Sequence, residues 1–149
     1  MTPEYAEKYF VKHMTKWGIK FGVPLEKIKR ENRMWYSAMV QQYYGKYYCW
    51  YNSKELATWE GQMPHIIFHE LGHLKNYIPY TDSIKRKIKS ETLAEKFALR
   101  MLKKYYPKFY KRQVKKLPNK LKRIKATWGK SHQFYYEAFK TIKEYQGIK

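Results

Sequence analysis

Five consecutive residues, His69-Glu70-Leu71-Gly72-His73, constrain this chain more than any other feature, because they set two imidazoles and a carboxylate inside an apolar stretch. Ile66, Ile67, Phe68, Leu71 and Leu74 recur at the spacing of a helix with one buried face. Pro64 suits the start of such a helix better than its interior, where it would remove a hydrogen bond. The pattern predicts a helix from about Met63 to Asn76. Residues four apart lie on one helix face, so His69 and His73 can grip a single ion, and the geometry suits zinc. A catalytic zinc takes three protein ligands and keeps one position open, so a third ligand must come from another element.

Glu91 is the best candidate. It lies 18 positions after His73, beyond a loop at Tyr77 to Tyr80. Its helix can be capped by Asp82 or Ser83 and carries Ile84, Ile88, Leu93, Phe97 and Met101 along one side until Pro107. Glu95 falls four residues later on the same face. It suits an orienting role, since a ligating histidine usually donates its other ring N–H to a carboxylate or carbonyl. The roles of Glu91 and Glu95 are exchangeable on spacing alone, with Glu91 as ligand the preferred order. The plain alternative is an exposed pair of like charges neutralised by Lys87, Lys89 and Lys96.

Three nearby residues are read more modestly. His65 stands one turn before His69, yet about 12 Å of helix axis separates it from His73, too far to share an ion. It reads as structural or cleft-lining. Gly72 costs helix propensity, and its use would be a close approach by another backbone or a substrate. Cys49 reads as a small buried hydrophobe on a strand.

A chain of 149 residues fits one domain, 1–149, with a single modest core. Thr2, Pro3 and Glu4 read as N-cap, first helical position and acidic first turn of a helix reaching Gly18. From Ile19 to Arg30 the signals are mixed, and a short helical turn is expected at Leu25 to Lys29 after Gly22 and Pro24. Met34 to Tyr44 and Lys46 to Asn52, rich in Tyr, Trp and Val, predict two strands meeting in a tight turn at Gly45. From Lys108 the chain is Lys-rich, with interruptions expected at Pro118 and Gly129. An amphipathic last helix is expected from about Ser131, with Phe134, Ala138, Ile142 and Tyr145 on one face.

The 32 Lys and Arg against 12 acidic residues give a net charge of +20. That favours anionic partners, nucleic acid among them, although lysines spread over the whole chain can equally form a solvated surface. A single aspartate, Asp82, excludes chemistry built on clustered aspartates. A single cysteine, Cys49, excludes an internal disulfide, a zinc ribbon or an iron–sulfur site. With no apolar leader at the N-terminus and no run of 18 apolar residues, a cytoplasmic protein without a membrane span is expected.

At His69, Glu70, His73, Glu91 and Glu95 the sequence resembles the gluzincin-type zinc metallopeptidases, which carry H-E-x-x-H on one helix and a downstream glutamate ligand on a second. Glu91-Thr92-Leu93-Ala94-Glu95-Lys96-Phe97-Ala98 is similar to the glutamate helix of minigluzincin-like and ImmA/IrrE-like proteins, and SprT-like proteins share the H-E-x-x-H motif. The likeness covers roughly residues 35 to 102. It implies an α+β, zincin-like domain: a short antiparallel sheet, an active-site helix, a glutamate helix and a basic helical C-terminal part, 103–149. It also implies a zinc endopeptidase acting on protein or peptide, with Zn2+ on His69, His73 and Glu91, and Glu70 as general base.

In that family a strand before the metal helix pairs with extended substrate, and Lys46 to Asn52 stands where it would be. Such sites usually add a donor to the tetrahedral oxyanion, for which His132, Tyr135 and Tyr136 are the candidates. The alternative reading is a basic, nucleic-acid-associated protein whose zinc site is structural or acts only on DNA-bound proteins. In that case Lys103 to Lys130 would carry much of the affinity.

Overall fold

A computed structural model describes residues 1–80, 82–128 and 133–145. They form a mixed α and β structure in two compact units, Met1–Tyr77 and Ile78–Lys149. Among the described residues no helix is long and apolar enough to cross a membrane.

The first unit opens with α1 (Pro3–Lys20), capped where the Tyr5 N–H donates to Thr2 Oγ1 at 3.2 Å. Ala6, Phe10, Met14 and Trp17 fall on one face of α1 at intervals of four and three residues and are buried. The helix ends at a tight corner where the Val23 N–H donates to the Gly18 carbonyl at 2.8 Å. A Cβ at Gly18 would stand 3.0 Å from the Val23 carbonyl oxygen, so the corner needs glycine there.

Three strands follow, β1 (Leu25–Arg30), β2 (Ala38–Tyr43) and β3 (Lys46–Tyr51), in the spatial order β1-β3-β2. The expected hairpin forms. Tyr44 (φ 49°) and Gly45 (φ 76°) both take positive φ, as a two-residue primed turn requires. The strand β1 corrects the expectation of a helical turn at Leu25 to Lys29. It pairs parallel to β3, and the register slips between Leu25 and Lys27. The extra residue resets the alternation, so Leu25 and Ile28 are both half-buried although three positions apart. That interval imitates the helical period.

Asn52 joins the sheet to the next helix. Its Oδ1 accepts from the N–H groups of Lys54 and Glu55 at 3.0 and 3.2 Å, capping α2 (Ser53–Thr58). Its Nδ2 donates to the Met34 carbonyl at 2.6 Å, pinning the 31–37 loop. This short helix was not legible as one. A single 3-10 turn, Glu60–Gln62, leads into α3 (Met63–Lys75), close to the expected bounds. Helices α1 and α3 cover one face of the sheet. Phe10 lies 5.4 Å from Tyr51, and Phe68 meets Trp17 and Phe21 edge-on at 5.0 and 5.7 Å.

The second unit consists of α4 (Ile84–Tyr105), α5 (Pro107–Trp128) and α6 (Gln133–Tyr145). Ser83 caps α4, accepting from the Arg86 N–H at 3.4 Å. The core is Leu99, Leu117, Leu121, Ile124, Phe139 and Ile142. Pro118 does not interrupt α5 as expected but lies inside it. A proline there costs about 3 kcal/mol, while each of the buried neighbours Leu117, Leu121 and Ile124 contributes about 1.5–3 kcal/mol. Packing on both sides outweighs the lost hydrogen bond. The outer face of α5 exposes Lys111, Lys115 and Lys122. The expected interruption at Gly129 and helix start at Ser131 lie outside the described residues.

Candidate metal centre

Helix α3 is apolar on one side and chemical on the other. Met63, Ile67, Phe68, Leu71 and Leu74 are buried, and packing of Phe68 into the aromatic cluster fixes the rotation of the helix. The remaining face then presents His69, Glu70 and His73, all half-buried. The two histidine Nε2 atoms lie 3.1 Å apart, with ring centroids 4.7 Å apart and ring planes at 83°. Two nitrogens of a tetrahedral zinc, each about 2 Å from the metal, stand about 3.3 Å apart, so this pair has the reach of a shared ion. His65 is buried at 8% exposure, in keeping with a structural role, and Gly72 is buried in the same helix.

Cys49, on β3, is 1% exposed and donates weakly to the Trp50 carbonyl. Burial pushes its thiol well above the usual range, and the negative charge of Glu70 adds to the effect. Cys49 is therefore an inert core residue, and the field of Glu70 reaches the sheet.

The expectation that β3 is the strand open to substrate is corrected by the sheet order. β3 is central, paired with β1 on one side and β2 on the other, so its backbone groups are taken. An incoming strand needs an edge, and β2 is an edge strand that packs against α3.

In the second unit, α4 carries Glu91 half-buried and Glu95 buried at 4% exposure. One turn of helix thus puts one carboxylate toward the surface and the other into the core. Glu91 lines a shallow recess with Ile78, Pro79, Tyr80, Arg86 and Ser90. Of the charges acting on Lys120 of α5, that of Glu95 is the largest, and the Lys120 ammonium lies 4.3 Å over the Phe139 ring. Burial pulls the Lys120 pKa down, Glu95 opposes that only in part, Arg123 adds to the lowering and Glu91 opposes it least.

Lys120 was missed in the sequence, where it is one of many lysines. Its signal was position: it falls within the Leu117, Leu121, Ile124 stripe of α5, where a surface lysine does not belong. Of the oxyanion candidates, Tyr136 is half-buried and packs against the core of the second unit. His132 and the side chain of Tyr135 lie outside the described residues. No known protein family, curated protein or solved structure matches the chain.

Proposed function

We propose that the chain is a zinc-dependent peptidase in which His69, His73 and Glu91 hold the metal and Glu70 is the general base. The observation that carries the reading is the approach of the two histidine Nε2 atoms to 3.1 Å on a helix that also presents Glu70. Each of His69, His73 and Glu91 offers one ligand atom and is half-buried, sheltered from bulk water but not sealed in a core. Two imidazoles and one carboxylate are the donor set of a hydrolytic zinc with an open position.

The burial of Glu95 and half-burial of Glu91 support the preferred order of the two glutamates, Glu91 as ligand and Glu95 in support. Zinc, when bound, supplies Lewis acidity and an activated water at neutral pH. Glu70 takes a proton from the attacking water and delivers it to the leaving amine, so one carboxylate serves both halves of amide hydrolysis. An extended peptide would be held along the edge of β2 by backbone hydrogen bonds, which bind without regard to sequence.

The test is zinc content by elemental analysis of the wild type, Glu91→Ala and Glu70→Gln, with casein hydrolysis measured alongside. One zinc per chain is expected, lost in Glu91→Ala and retained without hydrolysis in Glu70→Gln. Zinc retained in Glu91→Ala would move the third ligand elsewhere. A wild type that takes up no zinc on reconstitution would overturn the reading.

A further inference from the structure

The sheet of the first unit has a second face that neither the metal centre nor the core uses. Along β3, Cys49 and Tyr51 point into the core, at 1% and 4% exposure, so alternation turns Tyr48 and Trp50 to the opposite face. Both are half-buried, and their rings lie roughly parallel with centroids 6.3 Å apart and planes at 29°. The parallel register sets Lys27 of β1 beside Tyr48 and Lys29 beside Trp50, each lysine exposed. Both rings on this face of the central strand therefore have a lysine beside them on β1, and a third lysine, Lys46, begins the row.

The opposite flank is uncharged. Gln41 and Met39 of β2 stand across from Tyr48 and Trp50. The three strands contain a single acid, Glu26, at the register slip of β1, with its carboxylate 4.0 Å from Lys46. The face thus combines two adjacent π surfaces with cations along one side.

We propose that this face binds single-stranded nucleic acid, with bases stacked on Tyr48 and Trp50 and phosphates running along Lys27 and Lys29. The charge chooses the ligand. A neutral sugar or an apolar peptide would use the rings but gain nothing from the lysines, and an acidic peptide would use the lysines but leave the rings idle. Exposed bases joined by phosphates use both. A duplex keeps its bases stacked on one another and cannot offer them to the rings. The surface is distinct from Lys103 to Lys130 and does not rest on the metal reading.

The experiment is fluorescence anisotropy of a labelled oligothymidine with the full chain, competed by unlabelled single strand, duplex and heparin, on the wild type and two variants. The Tyr48→Ala/Trp50→Ala variant tests stacking, and Lys27→Gln/Lys29→Gln, altered at exposed positions of an edge strand, tests the cations without touching the rings. Circular dichroism establishes that each variant is folded.

Single strand is expected to compete at least tenfold better than duplex. Affinity should fall at least tenfold in the ring variant, with heparin binding unchanged. In the lysine variant the slope of log K against log salt should shrink by about 0.7 for each lost phosphate contact. Equal competition by single strand, duplex and heparin, with a ring variant that binds like the wild type, would mean binding by net charge alone and overturn the proposal. If the ring variant fails to fold, a salt slope unchanged in the lysine variant overturns it equally.

Discussion

Helix α3 presents its histidines from a rod whose other face is locked among aromatic rings, whereas α4 presents Glu91 from a rod that has already drawn a second carboxylate, Glu95, into the core. An imidazole can sit neutral beside apolar neighbours with its nitrogens hydrogen-bonded. A buried carboxylate needs a compensating charge. The two units answer accordingly. The first packs Phe68 of α3 against Trp17 and Phe21, and the second brings Lys120 of α5 to bear on Glu95. The lesson is that the two helices carrying the proposed donor set are anchored differently, α3 by the shape of Phe68 among rings and α4, one turn from Glu91, by the charge of Lys120 on buried Glu95.

The largest effect expected from that difference is at Phe68, which is 0% exposed and in contact with both Trp17 and Phe21. Phe68→Ala should cost about 3–5 kcal/mol in urea unfolding. A loss below about 2 kcal/mol would mean that the aromatic cluster collapses into the space, and packing would not be what fixes the rotation of α3. Next in size is Lys120→Met, which removes the cation acting on Glu95 while keeping the hydrophobic bulk. It should cost about 1–3 kcal/mol, the scale of stranding a buried polar group. Pairing it with Glu95→Leu should recover most of the loss. A neutral single variant would break the contrast, leaving the second unit held by packing just as the first is.

A smaller change is expected at the joint between sheet and helices. Asn52→Ala removes the cap of α2 and the bond to the Met34 carbonyl together. It should cost about 1–2 kcal/mol, near the upper end for an N-cap. If the cost is only a few tenths, water replaces both bonds and the 31–37 loop is held by its backbone alone.

The sequence made these elements legible to different degrees. Helices α1, α3 and α4 were readable because each has a cap or proline at its start and an apolar stripe of helical period, and the hairpin was readable from its aromatic strands and Gly45. The strand β1 was not, because its register slip gives a strand the three-residue interval of a helix. The continuity of α5 was not, because local rules charge Pro118 its full cost while the compensating core is tertiary. At the candidate site, the H-E-x-x-H motif placed His69, Glu70 and His73 on one helix, but nothing local said that Glu95 would be buried or which lysine would answer it. The position of β3 at the centre of the sheet was likewise hidden, since it depends on a third strand that reads as a helix.

The smallest expected effect is a test of where charge matters in the first unit. Among its described residues the buried polar groups are Asn52, Ser53 and His65, with no buried carboxylate, so the part of acid sensitivity that comes from carboxylates should lie in ionised pairs outside the core. The closest of these is Glu31, whose carboxylate accepts from Arg33 Nε at 2.7 Å and from a second guanidinium nitrogen at 2.9 Å. Those hydrogen bonds, with one from the Arg33 backbone, hold its carboxyl at about 2, below the ordinary value of 4.5. The folded state therefore favours the ionised form. The stabilisation is fully present above about 4.5 and disappears as the pH falls through about 2. Arg33 is exposed and Glu31 only half-buried, so the contribution is small and weakens with salt. Melting temperatures of the wild type and Glu31→Gln should differ slightly at neutral pH and converge as the solution is acidified. If the gap persists at the acid end, the variant acts through the 31–37 loop backbone rather than through charge. The first unit would then be held by shape at its surface as well as in its core.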